Sequence, residues 1–209
     1  MPNTGPEHPA MTDRTWRRLA DFIFELGMLR RTPRTGYQFL GSGAENVAEH
    51  SFRTTMIGYI LARVAGADVA RTVFLCLFHD VHEARIGDFN YVNRIYNTSD
   101  PVLAFTHALE GTGLRAEVLE LWHELEAGET VEAKLAQDAD QLDFIANLKE
   151  ELDLGNPYAA KWLEHALPRL RTEIAHEFAQ SLLATDQSAW WFTRPDESWW
   201  RRGNGKKRP

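Results

Sequence analysis

The stretch VFLCLFHDVHEARIGD, Val73 to Asp88, starts as apolar as a protein interior and ends with two histidines, an arginine and three carboxylates. An unpaired buried charge is strongly unfavourable, so groups this close behind a buried segment need partners. The stretch shows no period-two alternation, and neither does the rest of the chain at any length. Apolar residues instead recur three and four positions apart, which is the spacing of helices. The reading that follows is an all-α bundle, with this segment as a central helix that is apolar nearly all round. On a continuous helix His79 and Glu83 are i, i+4 neighbours, and Asp80 and Glu83 are i, i+3 neighbours, so all three reach one site.

Working outward, the preceding helix places Val47, Thr54, Ile57, Leu61 and Val64 on one face. His50 falls on that face, one turn before Thr54, and points inward. Asp68 is a plausible N-cap for the central helix. Upstream, Trp16, Leu19, Ile23 and Leu26 mark a helix that starts at Asp13 and stops at Gly27, and "LRRTPRTGYQFLGSGAEN" reads as loop and turn. Downstream, "IGDFNYVNRIYN" reads as loop or short turns, Asp100-Pro101 and Gly111 bracket a helix, and Leu114, Val118, Leu121 and Leu125 form the stripe of another. Thr130 opens a long helix with Leu135, Leu142 and Ile145 on its buried face. A last helix starts at Asn156-Pro157 and bends or restarts at Pro168. Residues 1–12 read as a flexible leader, 13–185 as the bundle, and 186–209 as a tryptophan-rich, basic tail.

Bulk properties narrow the function. The chain has 209 residues, is 44% hydrophobic and 25% charged, and carries a formal net charge of −7. That charge disfavours a nucleic-acid polymer or an anionic membrane as partner. The single cysteine, Cys76, excludes an internal disulfide, suits a reducing compartment and sits in the apolar run as a packing residue. "MPNTGPEHPA" lacks a secretory pattern, and no apolar run approaches the ~18 residues of a membrane span. A cytoplasmic protein is expected. Imidazole and carboxylate without thiolate suit a divalent ion such as Zn, Mn, Co, Ni or Fe at an open site, and disfavour a closed structural zinc site. Spacing alone leaves the acid from the long helix undecided, because Asp138, Asp140 and Asp143 all compete and Asp138 has at least as good a claim to the apolar face.

"ENVAEHSFR", "FHDVHEARIGD" and "AQDADQLDF", in this order and spacing, resemble the HD-domain metal-dependent phosphohydrolases, and within them the 5'-deoxynucleotidase branch. The resemblance runs from about Leu19 to Leu154 and includes the arginine-containing segment "RRTPRTGY". It implies an HD-domain helical bundle whose metal ligands are His50, His79, Asp80 and Asp140. It implies Glu83 as the catalytic carboxylate beside the metal and Asp88 as a carboxylate that contacts substrate. Arg34 matches the arginine near the substrate phosphate, with Arg31 as competitor. Tyr37 lies where the branch often has tryptophan, close to the sugar. The implied reaction removes the 5'-phosphate from (deoxy)nucleoside monophosphates by attack of an activated water.

Two departures from the branch stand out. His82 occupies a position that is usually small or apolar, and Tyr91 to Gly113 lacks a strongly charged helix and contains His107. The competing readings are a dinuclear HD-domain enzyme, including the di-iron oxygenase type, and a non-enzymatic nucleotide-binding module. The dinuclear reading would need His82, His107 or His123 as further ligands, and His123 lies off its helix's apolar stripe. The branch forms homodimers, and the tryptophans at 190, 191, 199 and 200 could cover a dimer face or cap the bundle.

Overall fold

The computed structural model describes residues 11–192; most of the expected leader and the tail from residue 193, with Trp199 and Trp200, lie outside the described residues. The helices are α1 Asp13–Leu26, α2 Tyr37–Leu40, α3 Val47–Ala65, α4 Val69–Phe78, α5 Glu83–Ile86, α6 Tyr91–Tyr96 and α7 Pro101–Ala108. They continue as α8 Arg115–Ala127, α9 Val131–Asp153, α10 Pro157–Ala166, α11 Glu173–Ala184 and α12 Ala189–Phe192, with 3-10 turns at Gly27–Arg31 and Leu167–Arg169. The expected all-α architecture holds: among the described residues the only β pairing is an isolated antiparallel bridge between Pro33 and Asn46.

Local chemistry sets the helix starts. Asn46 caps α3 through a reciprocal box with Glu49, and Asp68, Asp100, Thr130 and Asn156 each accept a backbone N–H at the first turn of α4, α7, α9 and α10. Each cap satisfies a donor that the helix itself leaves unpaired, worth about 1 kcal/mol. Helix α9 is the axis of the molecule and packs against α3, α4, α8, α10 and α11. Leu61, Leu75, Cys76, Leu142 and Ile145 are buried together in the larger core cluster. A smaller cluster of Phe22, Leu29, Val47, Val81, Phe105 and Val118 ties α1, α7 and α8 to the segment around Asp80. Burying each large side chain stabilises the fold by about 2 kcal/mol.

Four expectations are corrected. Helix α1 turns Phe22 inward and leaves Trp16 and Ile23 exposed, and Val64 of α3 is exposed too. Helix α4 is not apolar nearly all round in the buried sense, because Phe74 and Leu77 face outward. It also ends at Phe78, and residues 79–82 run as tight turns before α5, so His79 and Glu83 do not share a continuous helix. Finally, the segment read as loop or short turns after Gly87 contains α6, capped by Asn90.

Candidate metal centre

Three segments converge on one point. His50 sits in the first turn and a half of α3 and is completely buried. His79 and Asp80 sit where the chain leaves α4, and Asp140 sits on the flank of α9 that opens to a cavity. His50 Nε2 lies 3.1 Å from His79 Nε2, 3.1 Å from Asp140 Oδ1 and 3.5 Å from Asp80 Oδ2. That Asp80 oxygen is 3.0 Å from His79 Nε2. His79, the C-cap of α4, keeps helical backbone angles, and at the end of the helix the adjacent side chains of His79 and Asp80, about 100° apart, still reach one point.

The surrounding bonds fix the tautomers. His79 Nδ1 lies 2.7 Å from the Cys76 carbonyl oxygen and must donate to it. His50 Nδ1 lies 2.6 Å from Asp143 Oδ2 and donates likewise. In the neutral ring that leaves each Nε2 with a bare lone pair. Two lone pairs and two carboxylates then face one another, with Arg34 donating to Asp80 from the far side. Such a set repels itself unless a cation joins it, and nitrogen and oxygen donors of this kind suit a divalent transition ion. His50, His79, Asp80 and Asp140 therefore fit a metal ion, with Asp140 on the side that opens to the cavity.

The electrostatics agree with this arrangement. Burial and Arg34 disfavour a charged His50, but its hydrogen bonds to Asp140 and Asp143 outweigh them and push its pKa up to about 10. The site thus holds a proton where it lacks another cation. Burial works against a charged Asp80, yet His79, Arg34 and His50 hold its carboxyl well below the usual range. Glu83 has no counter-charge as close. Burial, then Asp80 and Asp88, push it up to about 10, and its Oε2 is buried without a partner.

Arg34 spans the other side, 3.4 Å from Asp80 Oδ2 and 3.5 Å from Asp88 Oδ1. Asp88 accepts from Thr35 N at 2.6 Å, so it anchors the loop that carries Arg34. Arg34, Tyr37, Asp80, Glu83, Asp88 and Asp140 all line one cavity of about 280 Å³. Arg31 is exposed and does not line it.

The choice within α9 is equally clear in space. Asp138 is fully buried on another face and accepts from Arg171 N at 2.7 Å, Thr172 N at 3.0 Å and Thr172 Oγ1 at 2.6 Å, closing the start of α11. Asp143 is neither a bystander nor a facing ligand. It supports His50 and is itself held by Asn147 at 3.2 Å and by Arg53. Sequence reasoning placed Asp143 among the competitors but missed this supporting role; its place three residues after Asp140 was the available clue. His82 packs 5.2 Å from the Phe105 ring with its Nδ1 unpartnered. His107 and His123 are exposed. The other cluster of ligand-type residues found among the described residues, Glu45, His50 and Asp143, already receives Arg53 and Asn147.

The chain was also compared with known proteins. Residues 26–182 match the family model described as HD domain. A protein of Danio rerio named 5'-deoxynucleotidase HDDC2 is 30% identical over 148 residues, 66% of this chain and 72% of that protein. The 5'-deoxynucleotidase hdd1 of Schizosaccharomyces pombe is 27% identical over 167 residues, 71% of this chain and 84% of that protein. Among solved structures, the PH0347 protein of Pyrococcus horikoshii superposes with a TM-score of 0.69 at 26% identity, covering 79% of this chain and 98% of that one.

Proposed function

The chain belongs to the HD-domain family of metal-dependent phosphohydrolases, and from that premise we propose that it removes the 5'-phosphate from (deoxy)nucleoside monophosphates. One observation carries the reading: two imidazole Nε2 atoms and two carboxylates meet at one point beside a cavity that also holds an arginine. His50, His79, Asp80 and Asp140 would hold the ion. When bound, a divalent ion supplies charge that polarises the phosphoryl oxygens and acidifies nearby water. Cobalt, manganese, zinc, nickel and iron all suit this donor set.

The remaining steps fall to the chain's own side chains. Arg34 offsets the charge on the phosphate through charge-assisted hydrogen bonds, and Asp88 keeps the Arg34–Thr35 loop in place. Glu83, its proton affinity lowered once positive charge stands beside Asp80, takes a proton from the attacking water. It then returns one to the 5'-oxygen as the P–O5' bond breaks. The products are a nucleoside and inorganic phosphate. Tyr37 lines the cavity where the sugar would lie and crowds a ribose 2'-hydroxyl less than a tryptophan would.

We extend the proposal to a cytoplasmic homodimer. The outer face of α3 presents Phe52, Met56, Tyr59 and Ile60 to solvent, an apolar patch of a kind that marks interaction surfaces. Light scattering after gel filtration would read a mass near twice that of the chain. Among the described residues no helix is long and apolar enough to cross a membrane.

Phosphate release from matched deoxyribo- and ribonucleoside 5'-monophosphates, metal by metal and with Asp80→Ala as control, tests the activity. Equal rates for wild type and the variant would sink the catalytic assignment. Binding of nucleotide without release by either would instead favour a non-enzymatic nucleotide-binding module.

A further inference from the structure

The cavity beside the metal centre contains polar atoms that the reaction above does not use. Asn90 lines it, is 6% exposed, and its side-chain nitrogen Nδ2 is buried without a partner. The orientation of this amide is not arbitrary. Its Oδ1 caps α6, accepting from Val92 N at 3.1 Å and Asn93 N at 2.9 Å. The other atom is therefore the NH2, a donor of two hydrogens, and the chain supplies it no acceptor. Gln141, also on the cavity wall, has its Nε2 buried and unpartnered as well.

Position narrows what these donors meet. Asn90 lies between Asp88 at the metal end and Tyr91, whose ring is stacked under Arg169 with the guanidinium carbon 4.8 Å from its centroid. Gln141 lies between Asp140 and Phe144, whose ring stands 5.9 Å from that of Trp162. Both amides thus share one cavity with Arg34, Asp80 and Asp140 and with the rings of Tyr91, Phe144 and Trp162, which suit a flat, π-bearing group. A buried donor left unpaired is costly, and a ligand acceptor that relieves it gains selectivity over an analogue that lacks one.

On the reading that the substrate is a nucleoside monophosphate, we propose that Asn90, with Gln141 on the wall of the same cavity, selects nucleotides whose base carries a carbonyl oxygen, namely thymine, uracil, cytosine and guanine, over adenine. Asn90 donates its amide N–H to that oxygen and acts as a specificity residue, apart from bond breaking.

The test compares kcat/KM of the metal-loaded full chain for dTMP, dUMP, dGMP, dAMP and deoxyribose 5-phosphate, in wild type and in Asn90→Ser. Serine keeps an oxygen that caps α6 but withdraws the amide donor, and Asn90→Asp serves as a second, isosteric variant. Wild type should favour the three carbonyl-bearing substrates over dAMP by on the order of tenfold. Asn90→Ser should lose that preference and leave dAMP and deoxyribose 5-phosphate within about twofold. Asn90→Asp adds charge and lowers all rates, yet its ratio between bases should also flatten. Release from all five substrates at similar kcat/KM by wild type overturns the inference alone. An even loss in Asn90→Ser that includes deoxyribose 5-phosphate also overturns it, because the amide then serves the sugar or the fold. Release from none of the five removes the phosphohydrolase reading, and this inference falls with it.

Discussion

Asp138 and Asp140 stand two positions apart on α9, about 200° around the helix, and that rotation gives them different work. Asp138→Ala should strip two backbone donors and a hydroxyl of their acceptor at the start of α11. The expected cost is about 2 kcal/mol, a fall in Tm of roughly 4–8 °C for a chain of this size, with metal affinity unchanged by calorimetric titration. Asp140→Ala should do the reverse, keeping most of the Tm and losing the ion. Asp143→Asn weakens the acceptor that orients His50, and metal affinity should drop about 10- to 100-fold. Two groups at the site also set a pH dependence. His50 and Glu83 are both pushed up to about 10 in the protein without metal, so between pH ~6.5 and ~10 the folded chain binds more protons than the unfolded one. Stability then falls as pH rises through that window. Melting of the chelated protein from pH 6.5 to 10 should show the decline, and a flat profile would argue against these environments.

At the scale of elements, the metal centre depends on how closely α3 meets α4. Gly58 of α3 lies against Cys76 of α4, and a Cβ built there would overlap Cys76 Sγ. Gly58→Ala gains up to about 1 kcal/mol of helix propensity but forces the helices apart or a side chain off its rotamer, costing about 1–3 kcal/mol. Net destabilisation is expected, together with weaker metal binding because α4 delivers His79; adding Cys76→Ala should restore part of both. These helices were legible because their caps and apolar stripes are local: Asp68, Asp100-Pro101, Thr130 and Asn156-Pro157 mark starts that the structure keeps. The end of α4 was not legible. "VFLCLFHDVHEA" contains no glycine or proline before Gly87, and the turns at 79–82 tighten a chain whose sequence carries no stop signal there. Helix α6 was missed for a related reason, since "NYVNRIY" is short and polar, and its cap Asn90 resembles an ordinary turn residue.

Over the whole molecule, two buried imidazoles and two partly exposed carboxylates at the junction of α3, α4 and α9 make the fold and the ion mutually dependent. The motif order identified the segments and selected Asp140, and helical periodicity turned His50 inward, but periodicity alone could not separate Asp140 from Asp138. The physical distinction exists only once α11 has docked and engaged Asp138. The same closure governs stoichiometry. A second ion would need ligands beyond the facing four: His107 and His123 point outward, the Glu45–His50–Asp143 cluster already receives Arg53 and Asn147, and His82, packed against Phe105, would remain as the one further half-buried imidazole among the described residues. Metal analysis of the purified chain should therefore find one divalent ion per chain; two would revive the dinuclear alternative. Because the unfolded chain cannot gather these ligands, the ion should stabilise the fold through its binding free energy. At a free concentration 100 times Kd this is about 2.7 kcal/mol, which corresponds to a rise in Tm of roughly 5–10 °C over the chelated protein. The rise should vanish in Asp80→Ala while that variant's own chelated Tm stays near wild type. A rise that persists in the variant would mean that the ion binds somewhere other than between these three helices.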